Sequence, residues 1–181
     1  EFHVVEGESH FLEQQICDGL VDVGLFPTPI YSQDLESYPV LDEQILLAIS
    51  VENKKAIAIA DSLMTGDGIR EIAPFGAFPF ILLREGLKLR TLVNRLCQAE
   101  CFVPKAVIGS ETLDSCRSLV EDDYGITFLP STLNSKGDDD KVKFYPLASK
   151  LCFRQLVLVA RSDRAKRFHL SEVAHIMQQF L

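Results

Sequence analysis

The segment from Phe78 to Pro130 constrains the fold more than any other part of the chain. It reads FPFILLREGLKLRTLVNRLCQAECFVPKAVIGSETLDSCRSLVEDDYGITFLP. Phe78–Leu83 is a short apolar and aromatic run, as a buried strand requires. Leu89, Leu92, Val93 and Leu96 then recur at helical spacing, and Lys105–Ile108 returns to a strand pattern. Leu113, Cys116, Leu119 and Val120 make a second helical face, with Gly125 as its expected stop, and Ile126–Leu129 closes the run before Pro130. Strand, helix, strand, helix, strand at these lengths predicts a βαβαβ unit with parallel strands.

A shorter copy of the same alternation precedes it. Phe2–Glu6 reads as a strand, and residues 9–18 as a helix carrying Phe11, Leu12 and Ile16, with Gly19 ending it. Val21–Phe26 is a second strand, which predicts a βαβ unit with a right-handed crossover. Two long strand candidates, Leu35–Val51 and Phe153–Ala160, lie outside these units, and a final helix places Val173, Ile176, Met177 and Phe180 inward. The simplest assembly is two α/β lobes joined by two crossing strands. Lobe I takes residues 1–51 and 156–181, and lobe II takes residues 52–155. Residues 53–74 read as a variable connection, with Gly66-Asp67-Gly68 as a turn, and Asp138-Asp139-Asp140 reads as a solvated loop tip.

Composition narrows the function classes. The formal charge is −8, which argues against direct DNA binding by this piece, because neutralising phosphates requires clustered Lys and Arg. No apolar run approaches a membrane span and no signal peptide is visible, so no membrane partner is expected. Five cysteines, Cys17, Cys97, Cys101, Cys116 and Cys152, form no CxxC pair; an odd count without a signal peptide points to a reducing cytoplasm. The chain starts without Met on a strand pattern and is read as beginning inside a domain.

Ligands of open parallel α/β sheets bind beyond the carboxyl ends of the strands. That rule selects five loops, Gly7-Glu8-Ser9, Pro27-Thr28, Arg84-Glu85-Gly86, Gly109-Ser110-Glu111-Thr112 and Pro130-Ser131-Thr132. Three lead into helices, whose first-turn N–H groups lack partners and attract negative charge. In "IGSETLDSC", Ser110 is the expected N-cap, without a capping box because position 113 is Leu. Thr112 is then available to a ligand, and Glu111 opposes an anion unless it turns to solvent or to Arg84. Arg84, Lys88 and Arg90 near helix starts favour a small carboxylate.

Enzyme motifs are missing: the sequence has no GxSxG, HExxH or Walker A pattern. None of His3, His10, His169 and His175 stands in a strand-end loop as a base for Ser110, and none has metal-ligand spacing. No cofactor or metal is expected.

The stretches VVEGESHFLEQQICDGLVDVGL, PFILLREGLKLRTLVNRLC, IGSETLDSCRSLVEDDYGITFLP and FRQLVLVARSDR together resemble the effector-binding domain of LysR-type transcriptional regulators. Asp123-Tyr124-Gly125 departs from the family, which usually has a small residue and a glycine there. The resemblance implies a two-lobed fold like the type 2 periplasmic binding proteins, here without its opening strand and helix. It implies a small-molecule effector in the interlobe cleft, a homodimer or tetramer, and DNA contact only through a winged helix-turn-helix domain absent from this chain. Carried onto matching positions, it implies Ser9, Thr28, Arg84, Ser110, Thr112 and Phe128 as effector contacts. The peroxide-sensing branch of the family has its reactive cysteine where Lys88 stands, with Cys97 at the partner position, so that switch is not expected here. The competing readings are a transport solute-binding protein and, behind it, an enzyme on the same scaffold using Glu111 or Glu85.

Overall fold

The computed structural model describes residues 3–134 and 141–179. It divides into two compact units, Glu1–Glu43 with Arg154–Leu181, and Gln44–Phe153. The chain therefore passes between them twice, within two strands, β2 (Leu35–Ser50) and β9 (Phe153–Arg161).

In the first unit, α1 (Ser9–Cys17) precedes β1 (Gly24–Pro27). β1 pairs antiparallel with β9, Gly24 opposite Val159 and Pro27 opposite Leu156. β9 lies between β1 and β2 in the strand order. Ile16, Phe26, Val157 and Val159 form one small core. Val40, Leu158 and Ala174 form another beneath the last helix, α6 (Leu170–Gln178), which follows the single turn α5 (Ser162–Ala165).

Several expectations for this unit fail. His3–Glu6 is not a strand: it joins no ladder, and Val4 and Val5 are exposed. β-branched residues favour extended backbone, but a strand exists only where a neighbour supplies hydrogen bonds. The parallel βαβ unit accordingly does not form, and β1 takes an antiparallel partner instead. α1 buries Ile16 but exposes Phe11, and places the carboxylate of Glu13 inward, accepting from the backbone N–H of Tyr31 at 2.9 Å. α6 faces inward with Leu170 and Ala174 while Val173 and Ile176 are exposed. Phe2 and Phe180, and the Asp138–Asp140 run, lie outside the described residues.

In the second unit, β5 (Pro79–Leu83), α3 (Lys88–Ala99), β6 (Lys105–Ser110), α4 (Leu113–Glu121) and β7 (Thr127–Pro130) follow in order. This order of elements from β5 to β7 matches the sequence pattern, while β7 joins the sheet of β2 rather than that of β5 and β6. β5 and β6 are parallel, and a parallel bridge joins Phe80 to Ile126 just before β7. The second half of β2 runs between β7 and β8 (Val142–Tyr145), antiparallel to both. Phe80 sits at the centre of this core, stacked on Phe128 at 5.6 Å and tilted against Phe102 at 5.6 Å.

Two details differ from expectation. The left-handed residue that ends α4 is Asp123 (φ 58°), not Gly125. Gly125 serves a different need: a Cβ there would lie 2.6 Å from the Pro79 carbonyl oxygen, where β5 and β7 approach. The segment read as a loose connection contains α2 (Lys54–Leu63), which buries Ala56, Ile57 and Ala60 and is capped by Asn53 accepting from the Ala56 N–H at 3.1 Å. A two-stranded hairpin of β3 (Met64–Thr65) and β4 (Gly68–Ile69) follows, turning at Gly66-Asp67.

Candidate functional site

The parallel pairing of β5 and β6 brings two of the five strand-end loops together. Leu83 is opposite Ser110, and the next N–H, that of Arg84, donates to the Ser110 carbonyl at 2.8 Å. The ladder therefore holds Ser110 in the strand. That displaces the helix start by two residues and corrects the expected cap, which is Thr112 rather than Ser110. Thr112 Oγ1 accepts from the Ser115 N–H at 3.2 Å and donates to Ser115 Oγ at 2.8 Å. Ser110, 8% exposed, shapes the turn below: its Oγ donates to the Thr112 carbonyl at 3.1 Å and accepts from the Thr112 N–H at 3.4 Å. Its proton is thus committed to a carbonyl rather than to a base, which is not the setting of an activated nucleophile.

This arrangement fixes which polar groups at the start of α4 are already engaged. The hydroxyls of Ser110 and Thr112 are held in local hydrogen bonds. The α-helical geometry leaves the N–H groups of Leu113 and Asp114 as first-turn donors, and Ser115, exposed beside the cap, adds a hydroxyl. The sequence points to Thr112 and Ser115 as hydroxyls not needed for a single cap; the structure instead makes Thr112 the cap, with Ser115 as its hydrogen-bond partner. Glu111 is 82% exposed, and its Oε1 lies 4.0 Å from Arg84 Nε, so its charge points to solvent and toward the guanidinium rather than into the helix start.

The neighbouring loop is stiffened by an arginine. Arg90 donates from Nη1 to the Leu83 carbonyl at 2.8 Å and from Nε to Asn94 Oδ1 at 2.8 Å, and Nη2 lies 2.7 Å from Glu85 Oε1. Arg90 therefore holds the loop in shape instead of offering its charge to a ligand, which corrects its grouping with Arg84. Glu85, engaged by Arg90 and by Asn94 at 3.2 Å, is likewise tied into this network.

The remaining candidates lie elsewhere. Ser9 is the first residue of α1 and half-buried, and Thr28 follows β1, where its N–H donates to the Gln155 carbonyl at 2.9 Å. Both belong to the first unit, whereas Arg84, Ser110, Thr112 and Phe128 belong to the second. Phe128 is 3% exposed and stacked on Phe80, a place in the core beneath the loops.

Three thiols are buried, those of Cys97, Cys116 and Cys152. Burial pushes Cys97 up to about 11 and Cys152 up to about 12. Cys116 is also raised by burial, an effect partly offset by the neighbouring Ser110 and Thr127 side chains. Thiols held protonated are poor nucleophiles. Among the described residues no helix is long and apolar enough to cross a membrane.

Comparison with known proteins agrees with this organisation. A Bacillus subtilis protein named as the uncharacterized HTH-type transcriptional regulator YcgK is 28% identical over 173 residues, covering 91% of this chain and 53% of its own length. The hydrogen peroxide-inducible genes activator of Haemophilus influenzae is 23% identical over 175 residues, covering 96% of this chain and 55% of its own. The chain thus spans about half the length of these curated relatives. Among solved structures, the effector binding domain of a BenM variant superposes with a TM-score of 0.77 at 13% identity, over 96% of this chain and 79% of that one. That likeness gives the fold, the two-lobed α/β class of the type 2 periplasmic binding proteins. The family model described as the LysR substrate binding domain matches residues 1–181, and the chain belongs to that family.

Proposed function

We propose that this chain is the effector-sensing part of a LysR-type transcriptional regulator, and that its strand-end loops hold the effector. The observation that carries the reading is the junction of β5 and β6, where the Arg84 loop is hydrogen-bonded to Ser110 and opens onto the first turn of α4. A guanidinium beside free helix N–H groups favours a carboxylate or similar anion. The first unit offers Ser9 and Thr28 for the same purpose, and Phe128 supports the loops from below. The family match over the whole chain supports sensing over transport. The hydroxyl of Ser110, bonded to a carbonyl, gives an enzyme reading no nucleophile.

In this reading the whole protein is cytoplasmic, assembles as a homodimer or tetramer, and meets DNA through a separate winged helix-turn-helix domain. Effector binding shifts the population of two arrangements of that assembly. Moving such an equilibrium from 1:99 to 99:1 needs about 5.5 kcal/mol of differential binding, so several contacts must contribute.

A thermal-shift screen of small carboxylates against neutral metabolites tests the site. Carboxylates are expected to raise the melting temperature, and Arg84→Gln is expected to reduce that rise. Stabilisation by neutral compounds alone overturns the anion assignment. Turnover of a candidate acid that stops in Thr112→Ala and survives in Thr112→Ser, which retains both hydroxyl and cap, overturns the sensing reading.

A further inference from the structure

A second concave surface lies away from the strand-end loops, within the second unit. It is a groove of about 690 Å³ whose lining includes Gln44, Asp67, Arg70, Leu147, Lys150 and Phe153. That size falls within the range of about 300–1,000 Å³ common for small-molecule sites.

The floor is rigidly built. The Ile69 N–H donates to the Pro146 carbonyl at 2.9 Å, and the Ala148 N–H returns to the Ile69 carbonyl at 2.8 Å. Gly68 (φ 113°) permits this approach, since a Cβ there would lie 2.6 Å from the Pro146 oxygen. Gln44 Nε2 donates to the Leu147 carbonyl at 3.3 Å, which fixes the amide at the groove wall. Ser149 Oγ accepts from the Leu151 N–H at 3.3 Å and its side chain also bonds the Cys152 thiol, which pins the turn at this wall.

The walls carry charged groups without side-chain partners among the described residues. Arg70 and Lys150 are exposed, and among the described residues neither side chain has a hydrogen bond or ion pair. Asp67 at the hairpin tip is unpaired in the same sense. Two cations and one carboxylate leave the lining with one net positive charge. Phe153 is 53% exposed beside them and presents an aromatic face to solvent. Exposed cations alone mark only a solvated surface. Two of them without partners, on a pinned floor, next to an uncovered ring, fit a ligand with one negative charge and a flat apolar body.

We propose that this groove is a second small-molecule site, and that it takes an aromatic monocarboxylate. Arg70 and Lys150 receive the carboxylate, the second amide hydrogen of Gln44 completes its hydrogen bonds, and the ring of the ligand packs on Phe153 and Leu147. The site is independent of the strand-end loops and of any effector bound there.

Phenylacetate is the probe, titrated into the 181-residue chain while backbone amide resonances are followed by NMR. Acetate and benzylamine are titrated in parallel. Phenylacetate is expected to shift residues 67–70 and 147–153. Acetate, which cannot reach the ring, is expected to bind at least about tenfold more weakly, and benzylamine not to compete. Arg70→Gln combined with Lys150→Gln is expected to weaken phenylacetate by about tenfold or more, the usual scale for lost charge-assisted hydrogen bonds. Phe153→Ala weakens phenylacetate and leaves acetate unchanged. These side chains are exposed, so the variants retain their fold, which the spectra verify directly. Shifts confined to residues 84–88 and 110–115 overturn the proposal. Equal binding of acetate and phenylacetate, or unchanged affinity in the double variant, also overturns it.

Discussion

Arg154 and Glu43 stand where the chain changes unit, Glu43 on β2 and Arg154 on β9. Glu43 is 1% exposed on its side chain and Arg154 12%, with Arg154 Nε donating to Glu43 Oε2 at 2.5 Å. One residue away, Gln155 Nε2 donates to Asp42 Oδ1 at 2.9 Å, so two successive cross-strand pairs join β2 and β9. Arg154→Ala removes the guanidinium and leaves a buried carboxylate without it. Breaking one partner of such a pair costs about 3–5 kcal/mol. For a chain of this length each kcal/mol corresponds to about 2–4 °C in melting temperature, so a fall of roughly 6–20 °C is expected.

Calorimetry and urea denaturation followed by far-UV circular dichroism measure this, with single variants at each position and a Glu43→Leu/Arg154→Met double variant. The double variant removes both charges and fills the space. It is expected to recover most of the stability, because an apolar pair of similar volume is often neutral or better than a buried ion pair. The coupling between the two sites then appears as non-additivity in the cycle. A loss below about 1 kcal/mol in Arg154→Ala would refute the burial argument. A double variant as unstable as the worse single one would refute the claim that the unpaired charge is the cause.

Thr112→Ala removes the cap of α4 and is expected to cost about 1 kcal/mol, with Thr112→Ser close to wild type and Ser110→Ala not reproducing a cap loss. Helix-sensitive circular dichroism during thermal unfolding reads the difference. Maleimide at neutral pH is expected to label exposed Cys101 and to spare Cys97, Cys116 and Cys152 in the native state. Peroxide treatment followed by mass spectrometry is expected to show no disulfide at Cys97. Because burial raises the thiol values in the folded state, the native chain binds more protons than the unfolded chain above pH 9. Stability contributed by Cys97 and Cys152 is complete below that pH and falls as pH rises toward about 11 and 12. Urea midpoints across pH 8–11 check the sign, and a midpoint that rose with pH would contradict it.

The sequence by itself determined the run from β5 to β7 in the second unit. Leu89, Val93 and Leu96 on α3, and Cys116 and Val120 on α4, are buried at the spacing that predicts them, because a helix with one apolar stripe has one way to face a sheet. It also placed the strand-end loops, since a strand that runs from an apolar stretch into Arg84 or Ser110 must emerge there. Tertiary structure decided the rest through partners that no local pattern encodes. Val4 and Val5 lack a ladder, Phe11 and Ile176 lack a covering surface, and Glu13 is buried because the Tyr31 N–H is there to receive it. The cap of α4 moved from Ser110 to Thr112 for the same reason: the Arg84 N–H, twenty-six residues earlier in the chain, extends the ladder and keeps Ser110 in it. The groove around Arg70, Lys150 and Phe153 was invisible in the sequence, because its walls come from a hairpin and a strand entry far apart in the chain. Periodicity reports what one element buries; only the assembled fold fixes which polar groups are left facing one another.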